Sequence, residues 1–184
     1  MIKFHTIFKL NLMMLTVFLI GCQQQQTALI LPYTPNSSFN HENKKIVLVG
    51  GCFDILHYGH IQFLQKAKNQ GNYLIVALEP DEKIINQKHR MPIHTQRIRA
   101  QNLASLRSVD EILLLPVLKG YEDYQILVER IGPKIIAVTQ GDPQLNNKIK
   151  QADEIGAHVI VVTEKQPNLS TSLILEKCIE MQKL

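Results

Sequence analysis

Two histidines surround one glycine in the stretch Gly50–His60, which reads Gly-Gly-Cys-Phe-Asp-Ile-Leu-His-Tyr-Gly-His. His57 and His60 stand three positions apart, after an apolar run and before an amphipathic one. Near the start of a helix, residues at this spacing project to the same side. Imidazoles placed there can donate hydrogen bonds to phosphoryl oxygens, where negative charge builds during group transfer. The pattern predicts a histidine pair at a phosphate site.

The loop that contains the histidines favours polyphosphate binding. Its glycine pair lets a ligand approach the backbone, and the helix that follows offers free N–H groups and the positive end of its dipole. Cys52 lies in this loop, and its spacing from Cys22 and Cys178 fits neither a zinc motif nor a disulfide framework. A thiol nucleophile activated by His57 is one reading of Cys52. We favour the other, a small residue that lines the loop.

Apolar runs alternate with helical periods from Lys44 onward. Strands are predicted at Lys45–Val49, Tyr73–Leu78, Glu111–Leu115, Ile135–Val138 and His158–Val162. Helices are predicted at Gly59–Gln70, Asp81–Asn86, Thr95–Leu106, Asp123–Ile131, Gln144–Ile155 and Thr171–Gln182. This alternation predicts an α/β fold, a Rossmann-like, doubly wound, mostly parallel five-stranded sheet. Ligands of such sheets bind beyond the carboxyl ends of the strands, where the histidines fall.

Composition restricts the class of partner. The 184 residues suit one domain with an appendage, and 45% hydrophobic content is ordinary for a globular protein. A net charge of +4 suits small anionic substrates and is too mild for a nucleic-acid signature. Tryptophan is absent, which argues against stacking platforms for single strands. We therefore expect small-molecule substrates and no nucleic acid.

The residues from Gly51 to Lys68 resemble the first strand, loop and helix of the cytidylyltransferase-like nucleotidyltransferases, which carry an H-x-G-H signature. The resemblance extends from about Lys44 to Ser172. Two subfamilies are close: the heptose-1-phosphate adenylyltransferases, which favour Gly-Cys-Phe-Asp, and the glycerol-3-phosphate cytidylyltransferases, which favour Gly-Thr-Phe-Asp. Cys52 inclines the balance towards the first. FAD synthetases of the archaeal type share the frame and are a third branch.

This resemblance implies an activity. Family members transfer AMP or CMP from ATP or CTP to a phosphorylated small molecule, such as a sugar or polyol phosphate, and release pyrophosphate. The two close subfamilies serve cell envelope biosynthesis. Catalysis is by positioning and charge stabilisation, with Mg²⁺ on the triphosphate and no metal site of the protein's own. Homodimers are common in the family, and nothing in the sequence tests this.

Further passages resemble family elements. Lys88 and Arg97 correspond to phosphate-binding residues, with a solvated basic loop as the alternative. Gly141-Asp142 corresponds to a nucleotide contact, with a plain turn as the alternative. The residues implied as catalytic are His57, His60 and Lys88, and those implied as nucleotide-binding are Gly51, Cys52, Phe53, Asp54, Gly59, Arg97, Gly141, Asp142, Ser170 and Thr171.

Two of these assignments have a structural alternative. Asp54 is favoured as a residue that holds the loop. The hydroxyls of Ser170 and Thr171 suit a triphosphate at a helix start, and they also suit an ordinary helix cap.

The chain also departs from the family. Where family members carry Lys or Arg after the serine–threonine element, this sequence has Leu173, Ile174 and Leu175. An arginine that often precedes the element is replaced by Glu164, Lys165 or Gln166. These departures keep a second reading open, a catalytically impaired nucleotide- or sugar-phosphate-binding module of the same fold.

The sequence predicts three segments along the chain: a signal-like or lipoprotein-like segment over residues 1–22, a flexible linker over 23–43 and the nucleotidyltransferase domain over 44–184. Leu19–Cys22 resembles a lipoprotein cleavage box, and the apolar run is short for a transmembrane span. Three readings stay open: a lipoprotein signal, an uncleaved membrane anchor, or a start codon assigned too far upstream. Because the chemistry needs NTP, we expect a cytoplasmic catalytic domain.

Overall fold

The computed structural model describes residues 27–164 and 169–182, so the predicted signal segment lies outside the described residues. The strands are β1 (Leu29–Pro32), β2 (Ile46–Gly51), β3 (Tyr73–Leu78), β4 (Glu111–Leu114), β5 (Ile135–Thr139) and β6 (His158–Thr163). The helices are α1 (Tyr58–Lys68), α2 (Asp81–Lys88), α3 (Gln96–Ala104), α4 (Tyr121–Ile131), α5 (Leu145–Glu154) and α6 (Thr171–Met181). Within these ranges no helix has the length and apolarity needed to cross a bilayer.

The strands form one parallel sheet in the order β1-β4-β3-β2-β5-β6. Strand β2 lies where the order reverses, because it pairs with β3 on one side and with β5 on the other. Helices α1 and α3 pack against one face of the sheet, and α4 and α5 pack against the other. The prediction of a Rossmann-like, doubly wound, parallel sheet is confirmed.

The sheet has six strands rather than the predicted five. The additional strand, β1, pairs with β4 in the register Leu29↔Glu111 to Pro32↔Leu114. It is short, lies at the edge and contains a proline, which an edge strand tolerates because one side needs no ladder partner. The predicted flexible linker therefore includes a strand, and its later part is held by a hydrogen bond of 2.8 Å between His41 Nε2 and Glu111 Oε2.

Sequence chemistry accounts for the boundaries of the other elements, which agree with the predicted ones to within two residues. Five of the six residues of β3 are buried, as its continuous apolar run predicts. The Thr95 side chain caps α3 by accepting from the Ile98 N–H. Gly132 ends α4 in the left-handed conformation, with φ at 59°.

Candidate active site

A cavity of about 410 Å³ opens at the carboxyl ends of β2 and β5, beside the reversal in strand order. We call it the histidine cavity, because His57 and His60 are in its wall. The predicted site residues that line it are Gly51, Cys52, Phe53, Asp54, His57, Gly59, His60, Lys88, Asp142, Ser170 and Thr171. The fold thus brings together residues that lie up to 120 positions apart in the chain.

The two histidines form a stacked pair at the start of α1. Their ring centroids lie 3.8 Å apart with an interplanar angle of 19°. His57 is the extended N-cap residue and its side chain makes no cap bond, so the first turn of α1 has no side-chain cap. His60 Nδ1 lies 3.1 Å from the Ile55 carbonyl oxygen, which can only accept, so Nδ1 carries the proton. Among the described residues, the buried His57 Nδ1 has no partner and is available to a ligand.

Both imidazoles are neutral near pH 7 in the free protein. Burial lowers the pKa of His60 to about 4, with a smaller lowering from His57 and an opposing effect of the bond to Ile55. Burial also lowers the pKa of His57. A polyphosphate placed against the pair would favour the protonated form of each ring. The pair can therefore gain positive charge as negative charge arrives.

The depressed pKa of His60 predicts loss of stability in mild acid. The unfolded chain binds a proton at this residue below about pH 6.5, whereas the folded protein binds it only near pH 4. The free energy of unfolding should therefore be fully retained above pH 6.5 and fall by about 3 kcal/mol as the pH drops towards 4. Urea unfolding of wild type and His60→Asn at intervals from pH 7.5 to 4.5 measures this, and equal slopes in the two proteins would refute it.

The loop between β2 and α1 is shaped by a close approach of backbone and ring. Phe53 has a positive φ of 46°, which a bulky residue rarely adopts. A Cβ atom on Gly51 would lie 2.9 Å from the Phe53 ring, so any larger residue here would displace that ring. The Phe53 ring meets His60 edge-on, with centroids 5.2 Å apart. The strained phenylalanine thereby supports the histidine.

Asp54 holds this loop to the segment before α3. Its buried carboxylate accepts from Arg90 Nη1 at 2.6 Å and from the backbone N–H groups of Ile93 and His94 at 2.9 and 3.1 Å. Burial alone would raise the pKa of Asp54, but the bonds from His94 and Arg90 bring it below its usual value. The geometry supports the loop-holding role favoured for Asp54.

Cations and hydroxyls are placed on the other walls of the histidine cavity. Lys88 lies in the last turn of α2 and makes no ion pair with the described residues. Ser170 caps α6, since its Oγ accepts from the Leu173 N–H at 3.2 Å. The Ser170 hydroxyl proton stays free to donate, so a capping role and a phosphate contact are compatible.

A lysine that the sequence analysis missed stands next to Asp142. Lys148 Nζ lies 2.6 Å from Asp142 Oδ2, and Lys148 lines the histidine cavity. Gly141 has a φ of 75° in the turn after β5 and is not part of the cavity wall. A single lysine on a polar helix carries no motif, so only the folded chain shows that Lys148 reaches the site.

Arg97 does not line the histidine cavity. Helix α3 turns Gln96, Arg99, Ala100 and Leu103 towards the protein, which leaves Arg97 exposed on the opposite face. The Gln96 amide donates to the carbonyls at the ends of β3 and β4. The helical period directs the Arg97 side chain to solvent, and its phosphate contact stays a prediction.

A second cavity of about 390 Å³ lies at the same end of the sheet, on the α4 and α5 side. We call it the tyrosine cavity, after Tyr121 and Tyr124 in its wall. It meets the histidine cavity at the end of β2, and the residues common to both walls are Gly50, Gly51, Cys52, Gln87 and Lys148. One substrate in each cavity would bring two reacting groups together there.

Parallel strands, an uncapped helix start and a histidine pair meet at the strand-order reversal of this α/β protein, an arrangement that suits a polyphosphate. Residues 48–177 match the family model described as cytidylyltransferase-like. The chain belongs to the cytidylyltransferase-like family, which confirms the resemblance, and within that family it is similar to nucleotidyltransferases.

The chain is similar to FAD synthases and to HldE proteins. The FAD synthase of Thermococcus kodakarensis is 41% identical over 147 residues, which cover 76% of this chain and 95% of the relative. The bifunctional protein HldE of Helicobacter pylori is 37% identical over 145 residues, which cover 76% of this chain but only 29% of the relative. The similarity to HldE therefore concerns one part of a longer protein.

Solved structures agree with the fold. The lipopolysaccharide core biosynthesis protein from Thermoplasma volcanium superposes with a TM-score of 0.54 at 25% identity, covering 67% of this chain and 98% of that one. A pantoate–beta-alanine ligase from Francisella tularensis gives a TM-score of 0.54 at 19% identity, covering 85% of this chain and 79% of that one, and shows likeness of fold alone.

Proposed function

We propose that the protein transfers an adenylyl group from ATP to a phosphorylated small molecule and releases pyrophosphate. The observation that carries this proposal is the stacked His57–His60 pair at an uncapped helix start, in a cavity that meets a second one. The histidine cavity suits a triphosphate, and the junction of the two cavities suits the phosphate of the acceptor. Because the reaction consumes ATP, the proposal places the catalytic domain in the cytoplasm.

In this mechanism the triphosphate lies on the loop from Gly51 to His60. His57 and His60 stabilise the charge that develops on the α-phosphate and on the leaving pyrophosphate. Lys88 holds phosphate oxygens from α2, and the hydroxyls of Ser170 and Thr171 hold the β- and γ-phosphates. The acceptor phosphate attacks in line without a general base, because it is already ionised near neutral pH.

Two charges complete the proposed site. Mg²⁺ enters as part of the substrate complex with ATP. Lys148 pairs with Asp142 and lines the same cavity as Ser170 and Thr171, so it is the candidate to replace the basic residue that the family carries near the serine–threonine element. The site therefore keeps a cation where the sequence alone indicated a loss, which favours an enzyme over a binding module.

The acceptor we propose first is FMN, since the FAD synthase relative is matched over nearly its whole length. A sugar 1-phosphate of the kind used by heptose-1-phosphate adenylyltransferases is the second candidate, which the HldE similarity favours. The two acceptors share a phosphate and differ in the body attached to it.

Pyrophosphate release tests the proposal directly. The full chain is incubated with Mg²⁺ and each of ATP, CTP, GTP and UTP, against FMN, heptose 1-phosphate and glycerol 3-phosphate. We expect release with ATP and FMN, and release with ATP and the heptose phosphate would support the second candidate. A thermal shift with nucleotide but no release in any combination would overturn the proposal in favour of a binding module.

A further inference from the structure

The tyrosine cavity has walls of a distinct chemistry. Leucines from the loop after β4 and from α4 give it apolar sides, and Tyr121 and Tyr124 add aromatic surface. Other lining side chains are polar, among them Glu79, Lys83 and Gln151, and Gln87 and Lys148 stand at the junction with the histidine cavity. The leucines and tyrosines suit a flat ring system whose phosphate points to the junction, and the polar side chains can fix its orientation.

Glu79 is the one carboxylate among the residues that line the tyrosine cavity in the described structure. It follows β3 directly, and its backbone is held on both sides, since its N–H donates to the Gly51 carbonyl at 3.1 Å and its carbonyl accepts from Arg99 Nη2 at 2.8 Å. Glu79 Oε1 accepts from the Tyr124 hydroxyl at 2.8 Å. Glu79 Oε2 is buried and has no partner among the described residues.

Lys83, Tyr124 and Glu79 form a chain of hydrogen bonds in which each donor points towards the Glu79 carboxylate. Lys83 Nζ donates to the Tyr124 hydroxyl at 3.2 Å, and that hydroxyl donates onward to Glu79. Burial and the nearby Glu79 charge raise the pKa of Tyr124, so the hydroxyl keeps its proton. A buried carboxylate oxygen without a donor is costly. A ligand that donates a hydrogen bond to this oxygen would remove the cost. Rotation about χ3 of Glu79 is easy, so either carboxylate oxygen can face the ligand.

We propose that the tyrosine cavity binds the ring body of the acceptor and that Glu79 selects an acceptor whose ring edge carries an N–H donor. The inference rests on the proposed function for the role of acceptor, and it deepens that function by naming the chemical class. The flavin ring is the flat system with such an N–H that we use as the probe. Its phosphate then lies at the junction, beside Gln87 and Lys148.

Glu79→Gln tests the assignment with little change in shape. The glutamine amide keeps an oxygen for Tyr124 but turns its own N–H₂ towards the N–H of the ligand, so two donors face each other. We expect KM for FMN to rise about 10- to 100-fold, the loss of one hydrogen bond to a charged group, while the ATP affinity stays unchanged. Glu82→Gln is the matched control, because Glu82 is exposed on the adjacent helix and lies in neither cavity.

A binding measurement separates this inference from the proposed function. Riboflavin has the ring but no phosphate, and its fluorescence should be quenched on binding to wild type and to Glu82→Gln, with at least tenfold weaker binding to Glu79→Gln. Leu118→Trp fills the cavity from an exposed loop and should abolish the quenching. Quenching without pyrophosphate release would support the cavity assignment and refute the transferase. Turnover with a sugar phosphate, together with no riboflavin binding, would support the transferase and overturn this inference.

Discussion

Replacing His60 with alanine is expected to lower kcat about a thousandfold, near the upper end of the loss seen when one donor to a developing oxyanion is removed. The ring lies 3.8 Å from that of His57, so its loss also removes the surface that orients the partner. Because the interaction matters most as charge develops, kcat should fall far more than the affinity for ATP. Pyrophosphate release under single-turnover conditions measures the effect.

The matched control for this experiment is His158→Ala. His158 is exposed at the amino end of β6, opposite the end at which the cavities open, so its turnover should equal that of wild type. Circular dichroism of both variants establishes that the fold is retained. Turnover of His60→Ala within tenfold of wild type would remove His60 from the mechanism.

Much of the site could be predicted from sequence because its residues are local. The stretch from Gly51 to His60 contains the strand end, the loop and the helix start that make one wall of the cavity. Strand and helix periods then place this wall at the carboxyl edge of a parallel sheet, where other strand ends converge. Ser170 could be predicted for the same reason, since a capping residue before a helix is a local signal.

The parts that sequence could not supply depend on long-range packing. Lys148 and Glu79 reach the cavities only because α5 packs on β5 and β3 pairs with β2, and neither residue stands in a motif. Strand β1 has four residues, and its pairing with β4 spans about 80 positions of the chain. The sequence analysis assigned a phosphate contact to Arg97 because the pair Gln96-Arg97 resembles a family pair. Which arginine is buried depends instead on the face of α3 that packs against the protein, and that face contains Arg99.

Arg99 is the residue whose loss should cost the most stability. Its side chain is fully buried and binds three carbonyls, those of Cys52, Glu79 and His94, and the Asp81 carboxylate at 2.7 Å. Arg99→Met keeps much of the volume but leaves these acceptors without a donor. We expect the free energy of unfolding to fall by about 3–5 kcal/mol, as for other buried pairs that lose one partner. Urea unfolding at neutral pH measures the change.

Arg97→Met is the matched control, because it makes the same substitution two positions away on the exposed face of α3. It should change the free energy of unfolding by less than about 0.5 kcal/mol. Arg99→Lys keeps the charge, but an ammonium on a single stem cannot bind acceptors on several sides, so it should be nearly as destabilised as the methionine variant. A methionine variant within about 1 kcal/mol of wild type, a typical effect of an ordinary substitution, would show that the carbonyls find other donors.

The placement of Arg99 also links stability to the site. The carbonyls it holds belong to Cys52, at the junction of the two cavities, and to Glu79, in the tyrosine cavity. Arg99→Lys that still folds should therefore lose affinity for the acceptor as well as stability, whereas Arg97→Met should keep its stability. Measuring KM for FMN and the unfolding midpoint on the same preparations tests this, and a destabilised lysine variant with an unchanged KM would separate the two roles.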